Sequence, residues 1–284
     1  MKRIVVMGST GMAGHVISLY LEEHGYDIYR TSRSEKVGEK SAAFNVSDFP
    51  ALECWLDSVK PEVVVNCIGL LQRDAQEHPD KAIWLNSYLP KYLESKYKKT
   101  STKLVHLSTD CVFSGSRGRY EENDLPDGST IYDRTKAFGE VNNDKDLTFR
   151  MSIIGPDVDF EGTGLFNWFM KQSGSISGYG KAIWNGVTTI ELARGIDAAI
   201  KQNLCGLYHL VPEKHIDKYN LLLLFQKSFS KSDIEICYKD NVVLDKSLVN
   251  TRTDFNFLVK EYPEQIEDMK AWIEAHWHLY PTYK

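Results

Sequence analysis

The sequence predicts an α/β fold of the Rossmann type, a doubly wound parallel sheet with a smaller C-terminal lobe. Three features carry that expectation. Short apolar bursts alternate with helical patterns through the first 155 residues. The bursts are apolar at consecutive positions, as parallel strands covered on both faces are. A glycine cluster lies directly after the first burst and before the first helix.

The bursts fall at residues 4–7, 27–31, 63–67, 104–107 and 147–150, with helices expected over 12–23, 50–58, 80–98 and 135–142. Ligands of such sheets bind beyond the carboxyl ends of the strands. Residues 8–12, 32–33, 67–69 and 108–111 should therefore converge on one crevice. Beyond about residue 156 the pattern turns irregular, first glycine-rich and aromatic, then polar and helical. The expected division is a dinucleotide-binding domain over 1–155, to which 187–211 return with a helix at 189–200 and a strand at 206–211. Residues 156–186 and 212–284 would form a substrate-binding lobe.

Composition narrows the class. The chain has 284 residues, 42% of them hydrophobic and 26% charged, enough for an ordinary buried core. A formal net charge of −5 argues against nucleic acid as partner, which rewards a basic surface. Cys54, Cys67, Cys111, Cys205 and Cys237 are odd in number, scattered, and contain no C-x-x-C, a usage expected of a reducing cytoplasm. The apolar run after Met1-Lys2-Arg3 is too short for a signal peptide, and no run approaches the roughly 20 residues of a membrane helix. A cytoplasmic protein without membrane contact is expected; a homodimer stays open.

The glycine cluster reads Gly8-Ser9-Thr10-Gly11-Met12-Ala13-Gly14. Glycines there allow a tight turn, close approach of backbone to a pyrophosphate, and close packing of helix on sheet; the diphosphate would meet free N–H groups at the helix start. The spacing is G-x-x-G-x-x-G, only a partial match to the usual fingerprint, and a bare strand-to-helix turn is the competing reading. At the end of the second burst NAD-binding chains place an acid. Here Tyr29-Arg30-Thr31-Ser32-Arg33 has none: Ser32 stands where the acid would be, and Arg33 offers a planar charged fork for a 2′-phosphate. NADP(H) is expected over NAD(H), against the plainer alternative of a solvated basic loop.

Tyr132-Asp133-Arg134-Thr135-Lys136 carries the chemistry. Residues four apart are neighbours on a helix, so Tyr132 and Lys136 share a face. A phenol near pKa 10 works poorly as an acid–base group at neutral pH unless a nearby ammonium stabilises its phenolate. Lys136 could also hold a nicotinamide ribose. Y-x-x-x-K alone is common by chance, but Ser108-Thr109 closes the fourth burst with hydroxyls able to hold a substrate carbonyl. Glycine turn, strand-end hydroxyl and Tyr/Lys pair are far rarer together than apart.

At these residues the chain resembles the extended short-chain dehydrogenase/reductases, and within them the dTDP-4-dehydrorhamnose reductase group of sugar-nucleotide reductases. The resemblance rests on residues 8–14, Asn66-Cys67-Ile68-Gly69, Asn86, residues 108–115, Tyr120-Glu121-Glu122-Asn123-Asp124, residues 132–136 with Gly139-Glu140, and residues 150–156. It covers most of 1–156 and fades afterwards. It implies Thr109 as catalytic hydroxyl, Tyr132 as proton donor and Lys136 as its partner. The cofactor-binding set expected is Gly8, Thr10, Gly11, Met12, Ala13, Ser32, Arg33, Asn45, Val46, Cys67, Ile68 and Gly69, with Tyr132 and Lys136; no metal ligand is expected. The activity implied is NADPH-dependent reduction of a keto group on a nucleotide-linked sugar.

The sequence departs from the group at several places. Cys111 replaces an aromatic residue, Asp133 replaces a glycine, and Trp184-Asn185-Gly186-Val187-Thr188-Thr189 stands where the reductases carry D-Q…P-T. Phe166, Trp168, Phe169, Tyr179 and Trp184 could stack a base, though core is the commoner role for aromatics at helical spacing. Arg252 and Lys171 could meet a diphosphate or merely face solvent; Arg150 reads as structural. His276 and His278, two apart, make a poor metal pair. Two other functions share these motifs. An epimerase normally retains NAD, which the missing acid near Ser32 disfavours, and a catalytically silent regulatory subunit would keep the fold without turnover.

Overall fold

The computed structural model describes residues 1–34, 36 and 38–283. Seven strands form its main sheet: β1 (Arg3–Met7), β2 (Asp27–Ser32), β3 (Ser41–Ala43), β4 (Val63–Asn66), β5 (Lys103–Thr109), β6 (Leu147–Met151) and β7 (Gly206–His209). Their order is β7-β6-β5-β4-β1-β2-β3 and every neighbouring pair is parallel. The order reverses between β1 and β4, the switch point at which such sheets open a crevice. This is the Rossmann-like α/β architecture that the apolar bursts predict. β3 escaped notice because three half-exposed residues carry no apolar signal.

Successive residues of each strand face opposite helix layers. Ile4, Val6 and Val65 join the core under α1 (Met12–Glu23), while Val5, Met7 and Val64 join the one under α2 (Phe49–Val59). Helix starts are written in side chains. Asp48 accepts the Ala51 N–H at 3.1 Å to cap α2. A short α3 (Gln72–Glu77) follows β4; then α4 runs as Pro79–Ala82, a π-helical stretch Ile83–Tyr88, and Leu89–Tyr97.

The helix carrying Tyr132 and Lys136, α5 (Ile131–Gly139), begins four residues earlier than expected. Thr130 and Asp133 form a reciprocal capping box there: the Thr130 hydroxyl accepts the Asp133 N–H and the Asp133 carboxylate accepts the Thr130 N–H, each at 3.1 Å. Asp133, a departure from the resembled family, thus fixes where this helix starts.

The remaining elements are α6 (Leu165–Met170), α7 (Thr189–Gln202), α8 (Lys218–Ser228) and α9 (Tyr262–Ala275), with short strands between them. Gly174–Tyr179 pairs in parallel with Ile234–Lys239, and Ala182–Trp184 lies between Ile216–Asp217 and Leu244–Asp245. These short pairings replace the irregular chain read from the sequence, their strands being too short and too polar to show a period. α7 packs on α1. Among the described residues no helix is long and apolar enough to cross a membrane.

One close approach holds the first turn. A side chain at Gly14 would put its Cβ 2.1 Å from the Gly8 carbonyl oxygen, a backbone atom that cannot swing away. Gly→Ala inside a helix ordinarily gains about 1 kcal/mol. Here the clash reverses the sign, and Gly14→Ala is expected to lose about 1–3 kcal/mol, the usual penalty of overpacking. Equilibrium denaturation measures it; a variant as stable as the parent would contradict the tight packing of α1 on the turn.

Candidate functional site

The loops after β1, β2, β4 and β5 meet at the carboxyl edge of the sheet, beside the start of α5. Gly8 turns the chain at φ +75°, in the left-handed region that glycine tolerates. Its absent side chain leaves room for the loop after β4: a Cβ at Gly8 would lie 3.0 Å from Ile68 Cγ1. Gly11 precedes α1 without any side-chain cap, so the N–H groups of the first turn, from Met12 and Ala13 onward, are free of a capping side chain. Thr10 and Gly11 are exposed. An uncapped helix start, a left-handed glycine and a second glycine closing the helix onto the turn fit a dinucleotide diphosphate.

The end of β2 is tied to this turn. The Ser9 N–H and hydroxyl both donate to the Thr31 carbonyl, at 2.9 and 3.0 Å. Ser32 is buried and Arg33 next to it is exposed, with no hydrogen bond or ion pair to another described residue. No acid stands at the end of this strand. The Phe44 N–H donates to the Ser32 carbonyl at 3.1 Å, which places Asn45 and Val46 just beyond. Asn45 is exposed but its Oδ1 accepts the Ser47 N–H at 3.0 Å; Val46 packs half-buried against the core under α2.

Cys67, Ile68 and Gly69 bridge the turn to Lys136. A Cβ on Gly69 would come within 3.9 Å of Lys136 Nζ. Burial pushes the Cys67 thiol up to about 12, so it stays protonated.

Thr109, Tyr132 and Lys136 are all buried and adjacent. Lys136 Nζ donates to the Leu107 carbonyl of β5 at 2.6 Å. Burial lowers its pKa to about 8, against the upward pull of the Glu140 carboxylate. Thr109 Oγ1 accepts the Cys111 N–H at 3.1 Å, and the Thr109 side chain is near enough to favour the ionised form of the Tyr132 phenol. Burial pushes that phenol above its ordinary value, the Cys111 thiol adding to the rise, while the Thr109 contact opposes it. The expectation of a phenol depressed by Lys136 is therefore corrected: desolvation wins, and Tyr132 remains protonated at neutral pH. Lys136 spends its contact on the strand carbonyl.

Several supporting residues were quoted from the sequence without a role. Asn86, in the π-helical stretch of α4, accepts the Leu70 N–H at 2.7 Å and donates to the Leu70 carbonyl at 3.0 Å and to Thr135 Oγ1 at 3.1 Å. It clamps the loop after β4 onto α5. Gly139 permits that contact, since a Cβ there would sit 1.9 Å from the Asn86 carbonyl oxygen. Behind Lys136, Arg150 bonds Glu140 through two nitrogens at 2.8 and 2.6 Å, and Ser108 donates to Glu140 at 2.7 Å. Arg150 is structural, as expected.

The chain beyond β6 brings residues that no motif signals. Lys218 lies over the Trp184 ring, 5.1 Å from its centroid, and its charge interacts with Asp110 and Cys111 in the loop after β5. Trp184 and the core residues Phe166 and Phe169 are buried, leaving the latter two no face for a base. Trp168 is partly exposed and Tyr179 half-buried. Arg252 pairs with Asp254 and donates to the Cys205 carbonyl at 2.7 Å; Lys171 lies over Phe160; His276 Nε2 meets Glu23 at 2.8 Å. A cavity of about 540 Å³ opens near Val211, His215 and Ser247, but none of Thr109, Tyr132 and Lys136 lines it. The catalytic candidates belong to the crevice, not to that cavity.

Comparison with known proteins follows the same line. The RmlD substrate binding domain family matches residues 1–236. The chain is 24% identical over 163 residues to methionine adenosyltransferase 2 subunit beta of Xenopus tropicalis, covering 56% of this chain and 48% of that protein. It is 31% identical over 140 residues to a dTDP-4-dehydrorhamnose reductase of Streptomyces griseus, covering 49% and 43%. The matched stretch thus spans about half the length of these curated relatives. Among solved structures, the dTDP-4-dehydrorhamnose reductase of Bacillus anthracis in complex with NADP superposes with a TM-score of 0.80 at 19% identity, over 96% of this chain and 100% of that one. With the family spanning most of its length and the fold shared along it, this chain belongs to the RmlD substrate binding domain family.

Proposed function

We propose that the chain is an NADPH-dependent oxidoreductase of the short-chain dehydrogenase type, reducing a keto group on a nucleotide-linked sugar. The observation that carries the reading is the burial together of Thr109, Tyr132 and Lys136 at the carboxyl edge of the sheet, on the side of the uncapped glycine turn. The family, the reductase among the curated relatives and the NADP-bound structural neighbour support it.

Gly8, Thr10, Gly11, Met12 and Ala13 would hold the diphosphate, and Ser32 and Arg33 the 2′-phosphate. Asn45 and Val46 would flank the adenine side, and Cys67, Ile68, Gly69 and Lys136 the nicotinamide side. When bound, the nicotinamide supplies a hydride. Thr109 and Tyr132 hold the substrate carbonyl oxygen between two hydroxyls. Tyr132, kept protonated by burial, passes its phenolic proton to that oxygen as negative charge develops on it. The Lys136 ammonium steadies the resulting phenolate. Residues 1–155 with 187–211 would serve the cofactor, and 156–186 with 212–284 the sugar nucleotide.

A second reading has one observation in its favour: methionine adenosyltransferase 2 subunit beta is among the relatives, so a nucleotide-binding regulatory subunit is the alternative. The intact Thr109, Tyr132 and Lys136 set weighs against it. Assay of NADPH oxidation across keto-sugar nucleotides decides between them. Stoichiometric oxidation supports the reductase; bound cofactor without turnover supports the regulator.

Cofactor choice is tested by titration. A phosphate–Arg33 contact of roughly 1.5–3 kcal/mol should make NADPH bind about tenfold or more tightly than NADH, and Arg33→Asp should shrink or reverse that preference. Equal affinities in the parent protein would sink the assignment. For the chemistry, Tyr132→Phe should lower kcat by about 10²- to 10⁴-fold, the usual worth of general acid catalysis, with NADPH affinity unchanged. Lys136→Met should weaken cofactor binding as well as turnover, and Thr109→Val should cost less than either. Retention of most activity by Tyr132→Phe would move the acid elsewhere, with Asp110 first to examine.

A further inference from the structure

Lys218 and Lys246 stand out by what they lack. Elsewhere, covered lysines of this chain spend their ammonium on an acceptor: Lys136 on the Leu107 carbonyl, Lys103 on the Lys145 carbonyl and Asn203, Lys145 on the Tyr97 and Thr102 carbonyls. Among the described residues neither Lys218 nor Lys246 makes a hydrogen bond or an ion pair. Lys218 opens α8, its side chain laid over the buried Trp184. The adjoining cap is already used, since Asp217 accepts the Asn220 N–H at 2.8 Å. Both lysines are half-buried, and a cation drawn partly out of water without a protein partner leaves its charge for a ligand to meet.

The surroundings say where that ligand would sit. Lys246 follows Asp245, whose N–H donates to the Gly115 carbonyl at 3.0 Å. Gly115 turns at φ +82°, and a Cβ there would come 2.5 Å from Leu244 Cδ1 and 2.9 Å from Lys246 Cγ, so both side chains pack on this turn. Two residues on, Leu248 is gripped through both its N–H and its carbonyl by Asn185, at 3.0 and 2.6 Å, and Asn185 adjoins Trp184. The two lobe segments are thereby clamped onto the loop that leaves β5 through Thr109, Asp110 and Cys111. Asp110 is buried, takes a hydrogen bond from Thr109 Oγ1 at 3.2 Å, and feels the charge of both lysines without closing an ion pair with either. Burial raises the Asp110 carboxyl and lowers the Lys218 ammonium. Two cations thus face one carboxyl at the rim of the catalytic hydroxyls.

We propose that Lys218 and Lys246, backed by Trp184, bind an oxyanion of the substrate, a phosphate or a carboxylate, next to the group held by Thr109 and Tyr132. The proposal deepens the reductase reading and rests on it for the word substrate. The site sits where this chain carries Trp184-Asn185 in place of the D-Q of the resembled reductases, so it separates this chain's ligand from theirs.

The test is calorimetric titration of the NADPH-saturated protein with inorganic pyrophosphate and, separately, with D-glucuronate. At least one should bind. Lys218→Met should weaken that binding about tenfold or more, as loss of a charge-assisted hydrogen bond does. Lys218→Arg should keep most of it, Lys246→Met should weaken it less, and NADPH affinity should stay as in the parent, which also shows that the variants fold. Preference for pyrophosphate assigns the oxyanion to a diphosphate; preference for glucuronate assigns it to a sugar carboxylate. An anion held instead at the glycine turn would ignore Lys218, so binding unchanged in Lys218→Met overturns the proposal, as does failure of both probes on the parent protein. Turnover does not enter the measurement: a protein that binds the probe through Lys218 but oxidises no NADPH would keep this site and lose the reductase reading.

Discussion

The side chain of Lys136 is buried, and a cation in that position must be given somewhere to go. The Leu107 carbonyl receives it at 2.6 Å, two residues before Thr109 on the same strand. That bond fixes α5 against β5, and with it the distance from Tyr132 to Thr109. Burial brings the lysine down to about 8 while Glu140 holds its proton. The same burial keeps Tyr132 protonated. One desolvated crevice therefore acts on both groups, raising the phenol and lowering the ammonium, as the proposed acid and its cationic partner require.

The packing around this pair is arranged to keep it dry and in place. Asn86 spends its whole amide on the loop after β4 and on Thr135, and Gly139 lets the two backbones approach. Glu140 is held by Arg150 and Ser108, so the carboxylate that steadies Lys136 cannot drift. Breaking a buried pair of that kind is strongly destabilising because the survivor is left charged and alone. On the other side, Gly8 and Gly14 let α1 close on the turn without a side chain in the way. Positioning here is the sum of close approaches that only glycine or one amide can make.

Much of this was legible in the residues, for physical reasons that differ by element. Where helices cover both faces of a strand its residues are apolar in succession, so β1 and β4 announce themselves; β3 is short and half-exposed, and does not. The Tyr132/Lys136 pair shows because four residues make one helical turn. The start of that helix is set by a capping box of Thr130 and Asp133, which no apolar period reveals. Trp184, Lys218 and Lys246 come together through short strand pairings across tens of residues, a juxtaposition without any local period. The direction of the Tyr132 shift is set by burial, which spacing does not show: four residues place a lysine near without revealing how dry the phenol is.

The pH dependence of kcat/KM for NADPH oxidation tests most directly whether a charged Lys136 governs the site. This quantity reports groups of the free enzyme. Lys136 holds its proton below about 8 and loses it above; neutral lysine cannot stabilise a phenolate, while the Tyr132 phenol, pushed upward, stays protonated through that range. The predicted profile falls as pH rises through about 8, and in Lys136→Arg, whose guanidinium remains charged, that fall disappears from whatever activity is left. A profile flat to about pH 10, the ordinary range of lysine, or an alkaline fall that persists in the arginine variant, would contradict the central place given to this buried cation.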